Sequence, residues 1–137
     1  MDLSNQLKKI SVELNDNQIK DITKIIKQKQ DEGYMAGFFD GEGCVKISNR
    51  GRLSDSLVIG NNNKFILDWI EKTFSGKIYK RSNMHYKDGY NRQQSYTWYL
   101  NGKYGVNLAK QLYEICWEKK EKLGKFIERN EKNAEGL

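Results

Sequence analysis

The stretch GYMAGFFDGEGCVKI, residues 33–47, decides the fold. Four glycines and an alanine crowd around two carboxylates, Asp40 and Glu42, where helix-like spacing gives way to alternation. An interior glycine costs a helix about 1 kcal/mol against alanine, so Gly37, Gly41 and Gly43 do not serve helix stability. Beyond them Val45 and Ile47 alternate with Lys46, Ser48 and Arg50, the pattern of a strand with one buried and one polar face.

Working outward, Ile19, Ile22, Ile25 and Ile26 follow helical spacing, with Asn15 or Asp16 as N-cap, and predict a helix over about residues 16–30. Gly33 interrupts it, and Tyr34 to Gly41 reads as a second short helix ended by Gly41-Glu42-Gly43. Downstream, GRLSD supplies a turn and SLVIG a return strand. Helical spacing resumes through Phe65, Ile66, Trp69, Ile70 and Phe74, capped by one of the asparagines 61–63. GKIYKRS and QQSYTWYL are two further strands around the polar loop NMHYKDGYNR, and YGVNLAKQLYEICW and KEKLGKFIERN close the chain as helices. The expected fold class is α+β: an antiparallel four-stranded sheet with helices on one face.

With 137 residues there is room for one core. The 24 Lys+Arg against 18 Asp+Glu give a net charge of +6, which favours a polyanionic partner without deciding for one. Cys44 and Cys116 lack CxxC spacing and, with the single His85, cannot build a four-ligand zinc site; both read as buried packing residues. His85 stands alone in the polar loop, without the neighbouring histidines that a histidine-centred site would need. No apolar run reaches the roughly 18 residues of a membrane span, and the N-terminus lacks a signal peptide's apolar core. The expectation is therefore an intracellular protein, not secreted and without a membrane partner.

If Val45 and Ile47 face the helices, Lys46, Ser48 and Arg50 face away, and Lys77, Tyr79 and Arg81 can do the same around a buried Ile78. Such a face fits the DNA major groove, where arginine and lysine read guanine. Any solvent-facing side of an antiparallel sheet is also polar, so alternation leaves both readings open. Small residues at Ala36 and Gly37 let another backbone approach, and two copies meeting there would bring two Glu42 carboxylates and two negative helix ends together. Oxygen-rich sites of that kind suit Mg²⁺ or Mn²⁺ and phosphodiester hydrolysis.

The segment YMAGFFDGEG resembles the signature of the LAGLIDADG homing endonucleases, with Met35 to Gly43 falling position for position on its nine letters. Met stands for Leu, Phe for Leu, Phe for Ile, Gly for Ala and Glu for the second Asp. The order helix, two strands, helix, two strands, helices also matches, so the resemblance covers about residues 33–130 and implies an αββαββα unit. It further implies that Glu42, with the adjoining Gly41, is the metal-ligand position and that Asp40 caps and braces helix ends. A basic residue after the first C-terminal helix corresponds to Lys119 first and Lys120 second, each of which also fits a solvated helix start. A polar residue ending the second strand corresponds to Asn61, with Lys64 as a possible accompanying base; a helix N-cap is the stronger reading of Asn61.

The resemblance thus implies a sequence-specific, divalent-metal-dependent DNA endonuclease that makes a double-strand break at a long pseudo-palindromic site during homing of an intron or mobile element. Glu42, Lys119, Lys120 and Asn61 are the candidate catalytic residues. Arg52, Arg92 and Gln94 join Lys46, Ser48, Arg50, Lys77, Tyr79 and Arg81 as candidate DNA contacts. Ala36, Gly37 and Asp40 would form a homodimer interface, because one motif supplies one carboxylate and two strands need two. The alternative is a catalytically inactive binder on the same fold, an RNA-splicing maturase or a DNA-binding regulator, which would make intron RNA a partner. Residues 1–32 are expected to be a helical extension, 33–131 the endonuclease domain and 132–137 a tail. A bacterial or phage-host cytoplasm or an organelle matrix is the expected location.

Overall fold

A computed structural model describes residues 4–5, 14–48, 54–81 and 94–135, the last four as backbone. Arg50, Arg52, His85 and Arg92 lie outside the described residues, as do most of the first 13. The chain divides into two compact units, Met1–Tyr34 and Met35–Leu137.

Helix α1 runs unbroken over Asp16–Glu42, correcting the expected break at Gly33. Its start is a reciprocal cap: the Gln18 N–H donates to Asn15 Oδ1 at 2.8 Å while the Asn15 N–H donates to Gln18 Oε1 at 3.0 Å. Gly33 does not end the helix because it does not adopt positive φ, which a glycine stop of the Schellman kind requires. Ion pairs Lys27–Asp31 and Lys29–Glu32, at 3.1 and 3.2 Å, span the turns just before it. At the other end, Gly41 and Gly43 are not left-handed either. Gly43 is instead required by packing, since a Cβ there would run into the Phe39 ring.

Strand β1 (Gly43–Lys46) follows α1 directly and pairs antiparallel with β2 (Ser56–Asn61). Asn63, not Asn61, caps helix α2 (Lys64–Phe74), its Oδ1 accepting the Phe65 N–H at 3.1 Å. Asn61 is the last residue of β2, and its side chain accepts the Asn63 N–H at 2.8 Å. α2 ends at Ser75 and Gly76, both at positive φ, and leads into β3 (Lys77–Lys80) and β4 (Tyr96–Leu100). α3 (Gly102–Tyr113) and α4 (Lys120–Glu135) then pack against each other, tied by a 2.5 Å contact from Lys110 to Glu131.

The sheet order is β1-β2-β4-β3, so two hairpins meet along their inner strands. Val45, Leu57 and Leu100 form one cross-strand row; Ile59, Trp98 and Ile78 form the next. These rows face the core with Met35, Phe39, Leu67, Ile70, Leu108, Leu112, Leu123 and Phe126. Val45 is buried as the alternation predicts, while Ile47 and Ile78 are partly buried against the same core. The same parity corrects Cys44: it shares a face with Lys46 and is exposed, whereas Cys116 is buried. No helix among the described residues is long and apolar enough to cross a membrane.

Candidate nucleic-acid interface and active site

Helix α1 delivers Asp40 and Glu42 to different surroundings. The Asp40 carboxylate accepts three successive backbone N–H groups, from Trp117 at 3.0 Å, Glu118 at 3.2 Å and Lys119 at 2.8 Å. These residues lead into α4, whose first turn has N–H groups without intrahelical partners. Burial works to raise the Asp40 carboxyl, but the donors at Lys119, Trp117 and Glu118, with the Lys119 charge, outweigh it and hold it below 3.8. Two residues on, Glu42 ends the helix with its side chain exposed.

The same junction brings in Lys119. Its ammonium donates to the Asp40 backbone carbonyl at 2.9 Å and lies 3.7 Å from Glu118, with the side chain only 15% exposed. A cation is thereby held at the carbonyl end of α1, whose own last turn has no basic residue. Lys120 goes elsewhere: its Nζ donates to the Tyr113 carbonyl at 2.7 Å and lies 4.0 Å from the centroid of the Tyr113 ring. Below the junction the Cys116 thiol donates to the Ala36 carbonyl at 3.3 Å, and burial, aided by the Asp40 carboxylate, pushes that thiol up to about 11.

Antiparallel register sets what lies beside Glu42. Because Gly43 pairs with Ile59, the end of β2 that carries Asn61 lies beside the start of β1, and Asn61 in turn pairs with Tyr96. Lys64 is turned onto Asp68, at 2.9 and 3.2 Å. Among the described residues no three His, Cys, Asp or Glu side chains come together as a metal site. One chain therefore offers the exposed Glu42 carboxylate and carbonyl oxygens at the helix end, including that of Gly41. Those hard oxygen donors fit Mg²⁺ or Mn²⁺, since Mg²⁺ takes one or two carboxylates together with water and phosphate oxygens.

The open sheet face carries Lys46 beside Ser56, then the row Cys44, Val58, Tyr99 and Lys77, then Gly60, Thr97 and Tyr79. Among these described strand residues there is no carboxylate. Lys46, Lys77 and Tyr79 are exposed, and Arg81 is exposed just beyond β3. One expected contact has its side chain engaged in holding the fold, and a second is tied down through its backbone: the Gln94 amide donates to the carbonyls of Arg81 and Ser95 at 2.5 and 3.0 Å. The Ser48 N–H donates to Asp55 at 2.8 Å, while its carbonyl accepts from Arg129, also at 2.8 Å.

That last contact belongs to a cluster with only a weak signal in the sequence. Buried Asp55 accepts from Arg129 Nε at 2.9 Å and from Asn130 Nδ2 at 3.0 Å. Burial raises the Asp55 carboxyl, but Arg129, the Ser48 N–H and Asn130 outweigh it and keep it below 3.8. An acid before an apolar strand is a weak cue, and nothing local points to an arginine 74 residues away.

Of the residues expected at a dimer interface, Ala36 faces inward at 1% exposure. Gly37 and Gly41 are exposed, and a Cβ built on either would meet nothing within 4 Å. Ile115 and Trp117 are exposed by 40% and 90%.

No protein-family model matches the chain, and no curated protein matches it in sequence. Solved structures do match. An archaeal intron-encoded homing endonuclease, I-Vdi141I, complexed with DNA, superposes with a TM-score of 0.65 at 20% identity, over 80% of this chain and 72% of that one. The homing endonuclease I-CvuI with its Sro1.3 target in the presence of Ca gives 0.61 at 20% identity, over 78% and 69%. I-CvuI with the I-CreI target in the presence of Mg, its DNA not cleaved, gives 0.60 at 20% identity, over 77% and 69%. At that identity the likeness establishes the fold.

Proposed function

We propose that this chain, which has the fold of the LAGLIDADG homing endonucleases, is a divalent-metal-dependent DNA endonuclease. It acts as a homodimer and breaks both strands of a long pseudo-palindromic site, as homing of an intron or other mobile element requires. The observation that carries the reading is the division of labour at the end of α1. Asp40 is committed to three amides and Lys119 to the Asp40 carbonyl, while Glu42 stands exposed beside them.

Glu42 and the Gly41 carbonyl would hold Mg²⁺ or Mn²⁺, which stabilises charge on the attacking and leaving oxygens of a phosphodiester. The Lys119 ammonium supplies a fixed positive charge next to them. Asn61 offers an amide at the same end of the sheet for ordering solvent. Lys46, Lys77, Tyr79 and Arg81 make an open face without intervening carboxylates, suited to the major groove and its phosphates.

Support for the dimer comes from Gly37 and Gly41, open to close approach by a second helix, beside the exposed Ile115 and Trp117. The open space at Gly37 also suits Gly37→Leu as the test, because Gly37 is exposed and a Cβ added there meets nothing within 4 Å among the described residues. A folded monomer that no longer cuts is the expected result; light scattering that finds an unchanged, active dimer counts against the interface.

Purified protein with Mg²⁺ and a randomised duplex library, sequenced for cut ends, tests the activity. Glu42→Gln should retain DNA affinity and lose cleavage; full cutting by that variant removes the assignment. Binding without cut ends in the unsubstituted protein would leave a nucleic-acid-binding protein on the same fold.

A further inference from the structure

At the edge where β3 begins and β4 ends, Tyr79, Tyr99 and Tyr104 border a cleft of ≈ 290 Å³ that also takes in Gly76, Lys77 and Asn101. Tyr104 is 67% exposed and Tyr79 54%, and the rings of Tyr79 and Tyr99 meet edge to face with centroids 5.7 Å apart. The floor is fixed. The Trp98 indole N–H donates to the Ser75 carbonyl at 2.9 Å, and Gly76, at φ 106, leaves the indole no room for a Cβ. Asn101 heads α3 without making a side-chain capping bond, so its amide is free of that duty. Among the described residues no Asp or Glu lines the cleft, and the charged side chain there is Lys77.

Such a cleft is at the small end of ligand-sized cavities, about 300 Å³. Tyrosine rings offer flat faces that stack any nucleobase, and lysine offers charge to the attached phosphate. Bases inside a duplex are already stacked on their neighbours and cannot enter. We propose that this cleft binds an unpaired nucleotide of a single strand, its base against the tyrosines, its phosphate on Lys77 and its edge near the Asn101 amide. The cleft shares Lys77 and Tyr79 with the face proposed for duplex DNA, while Tyr104 and Asn101 belong to it apart from that face, and the site does not depend on cleavage.

Fluorescence anisotropy on the full chain tests it, with labelled single-stranded DNA and RNA of one sequence, an abasic strand of equal length and the matching duplex. The base-bearing strand should bind more tightly than the abasic one, and the DNA and RNA arms identify the source. Tyr104→Ala should weaken that binding roughly 5- to 150-fold, whereas Tyr104→Phe, which keeps the ring, should not. Duplex binding and cleavage should be unchanged in both variants. Equal binding of the abasic strand, undiminished binding by Tyr104→Ala, or no single-strand binding at all overturns the proposal. A loss of equal size on duplex also overturns it, assigning the cleft to flanking phosphates. Duplex cleavage is scored in the same samples, so the site and the endonuclease reading fail independently; thermal melting confirms that the exposed Tyr104 is dispensable for folding.

Discussion

Asp40 and Asp55 hold the same C-terminal segment at two places and by different chemistry. Asp40 binds backbone N–H groups at residues 117–119, which any sequence there except proline would supply. Asp55 binds the side chains of Arg129 and Asn130, with one backbone N–H from Ser48, so it depends on particular partners. The Asp40 end also carries Glu42 and Lys119, whereas the Asp55 end carries no group given a role in the proposed chemistry. Main-chain anchoring leaves side chains free for a site; side-chain anchoring uses them up.

That contrast breaks most visibly at the lysines. Lys119→Ala should slow cleavage by about 10²- to 10³-fold through loss of the fixed positive charge beside the reacting oxygens, with little change in melting, since its backbone bond to Asp40 survives. Lys120→Ala should do the reverse, costing about 1 kcal/mol through the lost Tyr113 contacts and leaving the cleavage rate alone. Cleavage loss confined to Lys120→Ala would reverse the two roles.

Next in size are the carboxylates themselves. Asp55→Ala should destabilise by about 2–3 kcal/mol in urea unfolding, less than a fully buried pair because Arg129 remains 43% exposed and screened. Asp40→Ala should cost about 1–2 kcal/mol, as for a lost cap, and should also impair cleavage by loosening the Lys119 junction. Equal costs with intact cleavage in both variants would erase the distinction between the two ends.

Acid titration gives a smaller effect. Both carboxyls have folded pKa values held below 3.8, so their contribution to stability is complete above that pH and lost as pH falls through the folded values. Melting of the double variant Asp40→Asn with Asp55→Asn should therefore depend less on pH below 3.8 than that of the parent. An identical acid dependence would mean that other groups govern acid unfolding. Smallest is the cysteine contrast: at pH 8 iodoacetamide should modify Cys44 and spare Cys116, whose thiol is buried and raised to about 11. Mass spectrometry of the folded protein reads the outcome.

The motif helix, the two strand pairs and the basic sheet face were legible because each follows from local period. Val45 buried and Lys46 exposed is a parity statement, and the register that puts Lys77 and Tyr79 on the face of Lys46 agrees with it. Cys44 departs from the expected burial because the same parity puts it on the exposed face with Lys46. The break at Gly33 was misplaced because a glycine ends a helix only when it turns left-handed, and whether it does so is not encoded in the glycine alone. Asn61 and Asn63 are separated by strand length, which β4 pairing decides.

What the sequence determined by itself is the four strands and the helices from residue 64 on, their order, and the placement of two carboxylates two residues apart at a helix end. Those depend on interactions a few residues long, which composition and spacing express. Tertiary structure alone decided that Asp40 would be consumed by amides 77 to 79 residues away. It also decided that Lys119 rather than Lys120 would reach the same helix end, and that Gly43 answers to a ring in its own chain while Gly37 and Gly41 face open space. Glycines look alike in sequence; what a Cβ would meet depends on which parts of the chain the fold brings beside them.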